Sequence, residues 1–314
     1  MAKDLRPVIA MAGLLVIAQL AALAMAPVFA ANTQPVFEDP EDPVNSLIYI
    51  LLILSFTGLI LLVVRLRRGS IVKYVILGAM FFTMLLVIYL PFLLLFLALN
   101  SPWADPLATL EGIVISGALT YALARYPEWY LVDAVGISVA AGVTAILGIS
   151  FAILPALLLL IGLAVYDAIS VYKTKHMVTL ADAATSQRLP IMIVIPRKRG
   201  YSFLRQKSIK EQIASGEERE AMFMGLGDVI IPGILVVSAF VSLSDQSAFV
   251  FGIAGNLIVA LVTLAGTVVG FALLMRFVMK GNPQAGLPLL NSGAILGYLS
   301  SYLMVFGDLR FGIG

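Results

Sequence analysis

The stretch Leu147-Gly148-Ile149-Ser150-Phe151-Ala152-Ile153-Leu154-Pro155 decides the fold, because it either breaks one long apolar run into two membrane spans or merely bends it. Only Gly148, Ser150 and Pro155 interrupt the run there. A single bent span would invert the sidedness of everything downstream. Charge resolves the choice. With a break at this point the apolar segments number nine, at about 7–30, 46–66, 71–99, 107–124, 130–149, 152–172, 221–243, 248–275 and 286–306. With the N-terminus inside, 19 of the 20 Lys and Arg residues then lie on the inner side, from Lys3 and Arg6 through Arg65, Arg67, Arg68, Lys73 and Arg125 to Arg276 and Lys280. Only Arg310 lies outside, among Glu38, Asp39, Glu41, Asp42, Asp105 and Asp245. Retention of Lys and Arg on the cytoplasmic side is the main orientation signal of membrane proteins. Merging the two spans would export the most basic loop, so the break stands.

Composition agrees. The chain has 314 residues, 61% hydrophobic and 12% charged, with mean hydropathy +1.03. Soluble domains are about 45–50% apolar and about 25% charged, so soluble, disordered and disulfide-scaffold classes are excluded. The fold expected is an all-α polytopic membrane protein of nine transmembrane helices, N-terminus cytoplasmic and C-terminus outside. It divides into residues 1–172 (spans 1–6), an inner loop 173–220 and residues 221–314 (spans 7–9). The first apolar run ends in Val28-Phe29-Ala30, which resembles a signal-peptide cleavage site, but it is too long for the 7–15 residues of such a region. A retained span is expected. The chain has no cysteine and one histidine, His176, set in a polar run beside Tyr172, Lys173 and Lys175. Thiol chemistry, cysteine metal sites and two-histidine metal motifs are therefore excluded.

Most acidic residues lie in loops or at span edges, but Asp167 in Leu163-Ala164-Val165-Tyr166-Asp167-Ala168-Ile169 and Asp228 in Gly225-Leu226-Gly227-Asp228-Val229-Ile230 do not. Ionisable groups in a bilayer are costly and mark functional sites by default, a buried structural tie being the alternative. Taking the sixth span to end near Tyr172 and the seventh to begin near Ala221, the two lie about 8 and about 10 Å from the inner end. Close carboxyls in a low dielectric share a proton and titrate as a pair, one a base and one an acid. Gly225 and Gly227 leave room beside Asp228 for another backbone. Pro232, lacking an N–H, cannot be the helical donor to the carbonyl of Asp228, so a bend is expected there. Tyr166 is either a hydrogen-bonding neighbour or a packing aromatic. The ninth span opens Ala285-Gly286-Leu287-Pro288-Leu289-Leu290, which reads either as a broken helix start whose unpaired backbone faces protein or a wet cavity or as a simple helix start with proline in its first turn. Gly266/Gly270 and Gly293/Gly297 have the spacing of close helix contacts. In the inner loop, Pro190-Ile191-Met192-Ile193-Val194-Ile195-Pro196 reads as a strand, and 208–220 as mobile.

Tyr166-Asp167 in a sixth span, Gly225-Leu226-Gly227-Asp228 in a seventh and a proline motif opening a ninth resemble the presenilin and signal peptide peptidase family, over almost the whole chain. The absence of extra domains is most similar to the archaeal presenilin homologues. The resemblance implies an intramembrane aspartyl endopeptidase in which water activated between Asp167 and Asp228 hydrolyses peptide bonds within transmembrane segments. It implies no metal and no organic cofactor. Tyr166, Gly225, Leu226 and Gly227 would support the pair. Leu287, Pro288, Leu289 and Leu290, with the strand residues Ile191, Ile193 and Ile195, would hold an unwound substrate by strand addition. One departure is Pro288-Leu289-Leu290, where the family usually has Pro-Ala-Leu, and the Pro-Ala-Leu at 155–157 is out of place. Prepilin peptidases share Gly-x-Gly-Asp but usually carry a Lys soon afterwards, where Val229 and Ile230 stand here. The expected partners are transmembrane protein substrates and the lipid bilayer of the plasma membrane, with the active site toward the cytoplasm. No nucleic acid is expected, accessory subunits are not evident, and a homo-oligomer is compatible with the sequence. The rival class is a proton- or cation-coupled transporter or channel, since intramembrane aspartates and a broken helix serve there too. No inverted repeat supports it.

Overall fold

The computed structural model describes residues 5–66, 69–174, 190–198, 200–205, 220–243, 249–250, 252–279 and 284–313. Lys3, Arg67, Arg68, His176, residues 208–219, Asp245 and Lys280 lie outside them, as does most of the basic inner loop. Among the described residues there are nine helices: α1 (Arg6–Asn32), α2 (Val44–Arg65), α3 (Gly69–Ala98), α4 (Ala104–Arg125), α5 (Trp129–Ser150), α6 (Ile153–Tyr172), α7 (Gly227–Ser242), α8 (Gly255–Val278) and α9 (Leu287–Phe306). A helix pairs its backbone groups within the segment, which is what hydrocarbon demands of a spanning element. Eight are long and apolar enough to cross a membrane, and α7 is shorter, at 16 residues.

The break at 151–152 is real and has identifiable causes. The Ser150 hydroxyl, which donates to the Ile146 carbonyl at 2.6 Å, also accepts the Val36 N–H at 2.9 Å, and the Ala152 N–H donates away from the helix to the Pro40 carbonyl at 2.9 Å. Pro155 then falls in the first turn of α6, where its missing N–H costs nothing, and its carbonyl accepts the Ser46 hydroxyl at 2.6 Å.

The chain forms two compact units. The first takes residues 58–142 and 179–226 with the extreme N-terminus. Within it α3 and α4 form an antiparallel pair, with Gly112 admitting Leu85 and Tyr89. Lys73 Nζ reaches the Ala124 carbonyl at 3.2 Å, and the Tyr89 hydroxyl donates to Asp105 at 2.6 Å. The same unit holds β1 (Met192–Pro196) antiparallel to β2 (Ala221–Gly225), with Val194 opposite Phe223. The β-branched run between prolines is thus a strand, as its composition requires. Burial, and then the charges of Glu220, Glu128 and Asp133, push the Tyr201 hydroxyl well above its ordinary pKa.

The second unit takes residues 12–57, 143–178 and 227–314. Its core runs through Leu159, Leu160 and Leu163 of α6, Ile234 and Leu235 of α7, and Ala294, Tyr298 and Tyr302 of α9. α8 and α9 pack backbone to backbone: a Cβ on Gly266 would strike the Gly293 carbonyl, and one on Gly270 the Leu289 carbonyl. α9 ends at Gly307, whose φ of 66° is the left-handed cap a glycine supplies without strain.

Two spans start later than expected. Residues 221–225, read as the beginning of the seventh, form β2, so α7 starts only at Gly227. Residues 249–254, read as the beginning of the eighth, hold a short strand pair, β3 (Phe249–Val250) and β4 (Ile253–Ala254), and α8 starts at Gly255. An apolar run of β-branched and aromatic residues carries no mark of its period, so hydropathy alone cannot separate strand from helix.

Candidate active site

The second unit brings Asp167, Asp228 and the segment 284–287 together. Asp167 lies five residues before the end of α6 and is 4% exposed. Its Oδ2 accepts the Leu287 N–H at 3.0 Å, and the Gly286 N–H also faces the carboxyl. Asp228, half-buried, is the second residue of α7 and lies against the same glycine: a Cβ built on Gly286 would sit 3.0 Å from its Oδ1 and 3.2 Å from its Oδ2. One Gly-Leu step therefore touches both carboxyls. The segment is pinned to the end of α6 a second time, where the Tyr172 hydroxyl donates to Gln284 Oε1 at 2.8 Å and accepts the Ala285 N–H at 3.4 Å.

The expected depths need correction for Asp228, which lies in the first turn of α7 and not seven residues into a helix. The expected role of Gly227 also changes, since among the described residues nothing approaches the place a Cβ would take there. Close approach is served by Gly286 instead. Tyr166 is half-buried, with its hydroxyl on Thr57 of α2. The proline motif does not open a broken helix. α9 starts at Leu287 with Pro288 in its first turn, the Leu290 N–H already bonds the Gly286 carbonyl at 3.2 Å, and the Leu287 N–H is taken by Asp167. A proline is tolerated in that turn because its N–H has no partner to lose. Leu290 is fully buried, and Leu289 lines a groove between α8 and α9 with Gly266, Gly270 and Gly293.

Ile191, Ile193 and Ile195 stand on the paired side of β1. The Leu226 N–H donates to the Ile191 carbonyl, and the Arg197 N–H to that of Glu220, so by antiparallel alternation 193 and 195 face β2 as well. The Ile193 and Ile195 side chains are buried. On the outer edge of β1 the Val194 N–H is already bound, at 2.7 Å, by Asp133 Oδ1 of α5. Glu128, just before α5, accepts the Ser202 hydroxyl at 2.6 Å and the Phe203 N–H at 3.1 Å.

Four residues of this arrangement escape the sequence reading: Gln19, Asp133, Gly286 and Asn291. Gln19 is the one polar side chain in the first apolar run, a signal that was there to be read. Buried and 1% exposed, it donates to the Val229 carbonyl at 3.1 Å. Asn291, one turn after Leu287 and 1% exposed, donates to the Leu160 carbonyl of α6 at 2.8 Å. α9 is thus held to α6 at Asp167 and again at Leu160, two turns earlier on α6. Among the described residues, no cluster of His, Cys, Asp and Glu able to hold a metal is found.

Apolar helices, eight of them of membrane length, that bring two carboxyls against one backbone step define a polytopic membrane protein with a carboxyl pair in its helices. The family described as signal-peptide peptidase, presenilin aspartyl protease matches residues 12–307. The chain belongs to that family, and its activity class is that of an intramembrane aspartic endopeptidase. Among solved structures it is similar to a presenilin family intramembrane aspartate protease in a C222 crystal form. The identity is 35% and the TM-score 0.66, over 95% of this chain and 100% of that one. It is also similar to such a protease in a P2 form, at 34% identity and TM-score 0.64, over 95% and 98%. Among curated proteins no match is found. Membership weighs against the transporter reading.

Proposed function

We propose that Asp167 and Asp228 are the catalytic pair of this protease. The observation that carries the reading is Gly286, whose backbone abuts both carboxyls. Two carboxyls so placed hold one proton between them. The ionised one takes a proton from water as the water attacks the scissile carbonyl. The neutral one hydrogen-bonds that carbonyl oxygen and later protonates the leaving nitrogen.

The substrate, a helix within the bilayer, must unwind before its carbonyl is open to water. β-Strand addition would hold the extended part. The register favours the outer edge of β2 over that of β1: Asp133 occupies the Val194 N–H, and Pro196 has no N–H. On β2 the outward backbone groups belong to Ala221, Phe223 and Gly225. That strand runs through Leu226 directly into α7, three residues from Asp228.

In this reading the chain crosses the plasma membrane nine times, with the pair toward the cytoplasm. At 1.5 Å per residue α7 is about 24 Å long, short of the roughly 30 Å hydrocarbon core. The start of α7, which carries Asp228, then lies at membrane depth, where water must be admitted. Water beside Asp228 is what hydrolysis needs.

The test is incubation of purified protein with a single-span substrate in detergent. Defined fragments, blocked by an aspartic-protease transition-state analogue, support the assignment. Ion flux in liposomes without cleavage would refute it.

A further inference from the structure

The first N–H groups of a helix have no partners within it. At the start of α9 those of Ala285, Gly286 and Leu287 all turn to α6, and Pro288 has none to place. Gly286 and Leu287 give theirs to Asp167. Ala285 gives its N–H to the Tyr172 hydroxyl at 3.4 Å, and that hydroxyl donates in turn to Gln284 Oε1 at 2.8 Å. Only a group that both accepts and donates can clip two successive residues in this way. Tyr172 ends α6, five residues after Asp167, so one helix carries both holds on the segment. The two holds differ in kind. A catalytic carboxyl exchanges its proton and its partners as the reaction proceeds, and its grip on Leu287 changes with them. A phenol outside the proton transfer keeps its grip throughout. Ala285, which joins the clip to Gly286, is 2% exposed. The clip itself adds little to the fold, because Tyr172 is 54% exposed and water replaces a lost partner there at small cost.

We infer that Tyr172 is a positioning residue for the hydrolytic reaction: its hydroxyl clips Gln284 and Ala285 to the end of α6 and so holds Gly286 against the two carboxyls while their proton moves. The inference rests on the reading of Asp167 and Asp228 as catalytic. Positioning groups act in the transition state more than in substrate binding, so kcat should suffer and KM should not.

The experiment uses the full chain in detergent with a single-span substrate, comparing wild type, Tyr172→Phe, Gln284→Leu, the double variant and Asp167→Ala. In Tyr172→Phe, which removes only the hydroxyl, kcat should fall about tenfold with KM within about twofold, and the melting temperature should stay within about 2 °C of wild type. Gln284→Leu leaves the hydroxyl its bond to Ala285 and should lose less. The double variant should fall no further than Tyr172→Phe, because the two side chains act as one clip. Wild-type kcat in folded Tyr172→Phe would overturn the inference. So would a loss carried by KM alone, or losses that multiply in the double variant. Failure of Tyr172→Phe to fold, or a kcat loss matched by a large fall in melting temperature, would overturn it too, since the hydroxyl would then serve the fold and not the site. Asp167→Ala separates the two claims: if it cleaves, the catalytic reading fails, whereas an inactive Asp167→Ala beside a fully active Tyr172→Phe removes only the role of Tyr172.

Discussion

At the scale of single residues, the site is organised by the backbone of Gly286 more than by any side chain beyond the two aspartates. Its φ of −78° and ψ of −50° are open to any residue, so the demand for glycine is one of space and not of conformation. A methyl group there would meet the Asp228 carboxyl at 3.0–3.2 Å, tighter than a relaxed contact, and the carboxyl would have to move. Gly286→Ala should therefore lower kcat by at least about tenfold, which is ~1.4 kcal/mol of transition-state stabilisation, while the fold persists. Near-normal turnover with an unchanged melting curve would count against the placement. Asp167 and Asp228 were legible from sequence because a carboxylate in an apolar run has few reasons to exist there. Gly286 was not, because nothing in a single sequence separates a glycine that touches a carboxyl from one that opens a helix.

Among the elements, the strand pair shows how a short sheet is kept in register beside helices. β1 is hydrogen-bonded to β2 on one edge and to Asp133 on the other. Asp133→Leu leaves the buried Val194 N–H without an acceptor. Amide exchange at Val194 should then quicken roughly ten- to a hundredfold, about 1–3 kcal/mol of local protection, whereas Asp133→Asn, which keeps an acceptor oxygen, should change it much less. Equal exchange in both variants would show that the carboxylate does not hold the strand. The strand itself could be read from its β-branched run between Pro190 and Pro196. Its partner could not, because Ala221-Met222-Phe223-Met224 continues without polar interruption into an apolar helix, and the pairing is a contact between distant segments. The Pro288 motif left two readings open, because a proline in the first turn of a helix and one that breaks it look alike without the structure.

For the whole molecule, the distribution of basic residues and the absence of cysteine make sidedness directly measurable. In a chain without native thiols, a single cysteine at Arg125 should react with a membrane-impermeant reagent only from the cytoplasmic side, and one at Arg310 only from the outside. The reverse pattern, or labelling of both from one face, would contradict the nine-span reading. A shared-proton pair further requires activity to fall on both limbs of a pH profile, since one carboxyl must be charged and the other neutral. A flat profile over pH 4 to 9 with the fold intact would exclude a dyad. The most direct test of the central claim is the initial rate of fragment formation from a single-span substrate by wild type, Asp167→Asn and Asp228→Asn at equal folded concentration. These substitutions keep each side chain's size and remove its ability to exchange the proton. Both variants should lose at least about a thousandfold in kcat while retaining wild-type melting, because residues that act as a unit fail together. Cleavage within tenfold of wild type by either folded variant would show that the hydrolysis is done elsewhere in the molecule.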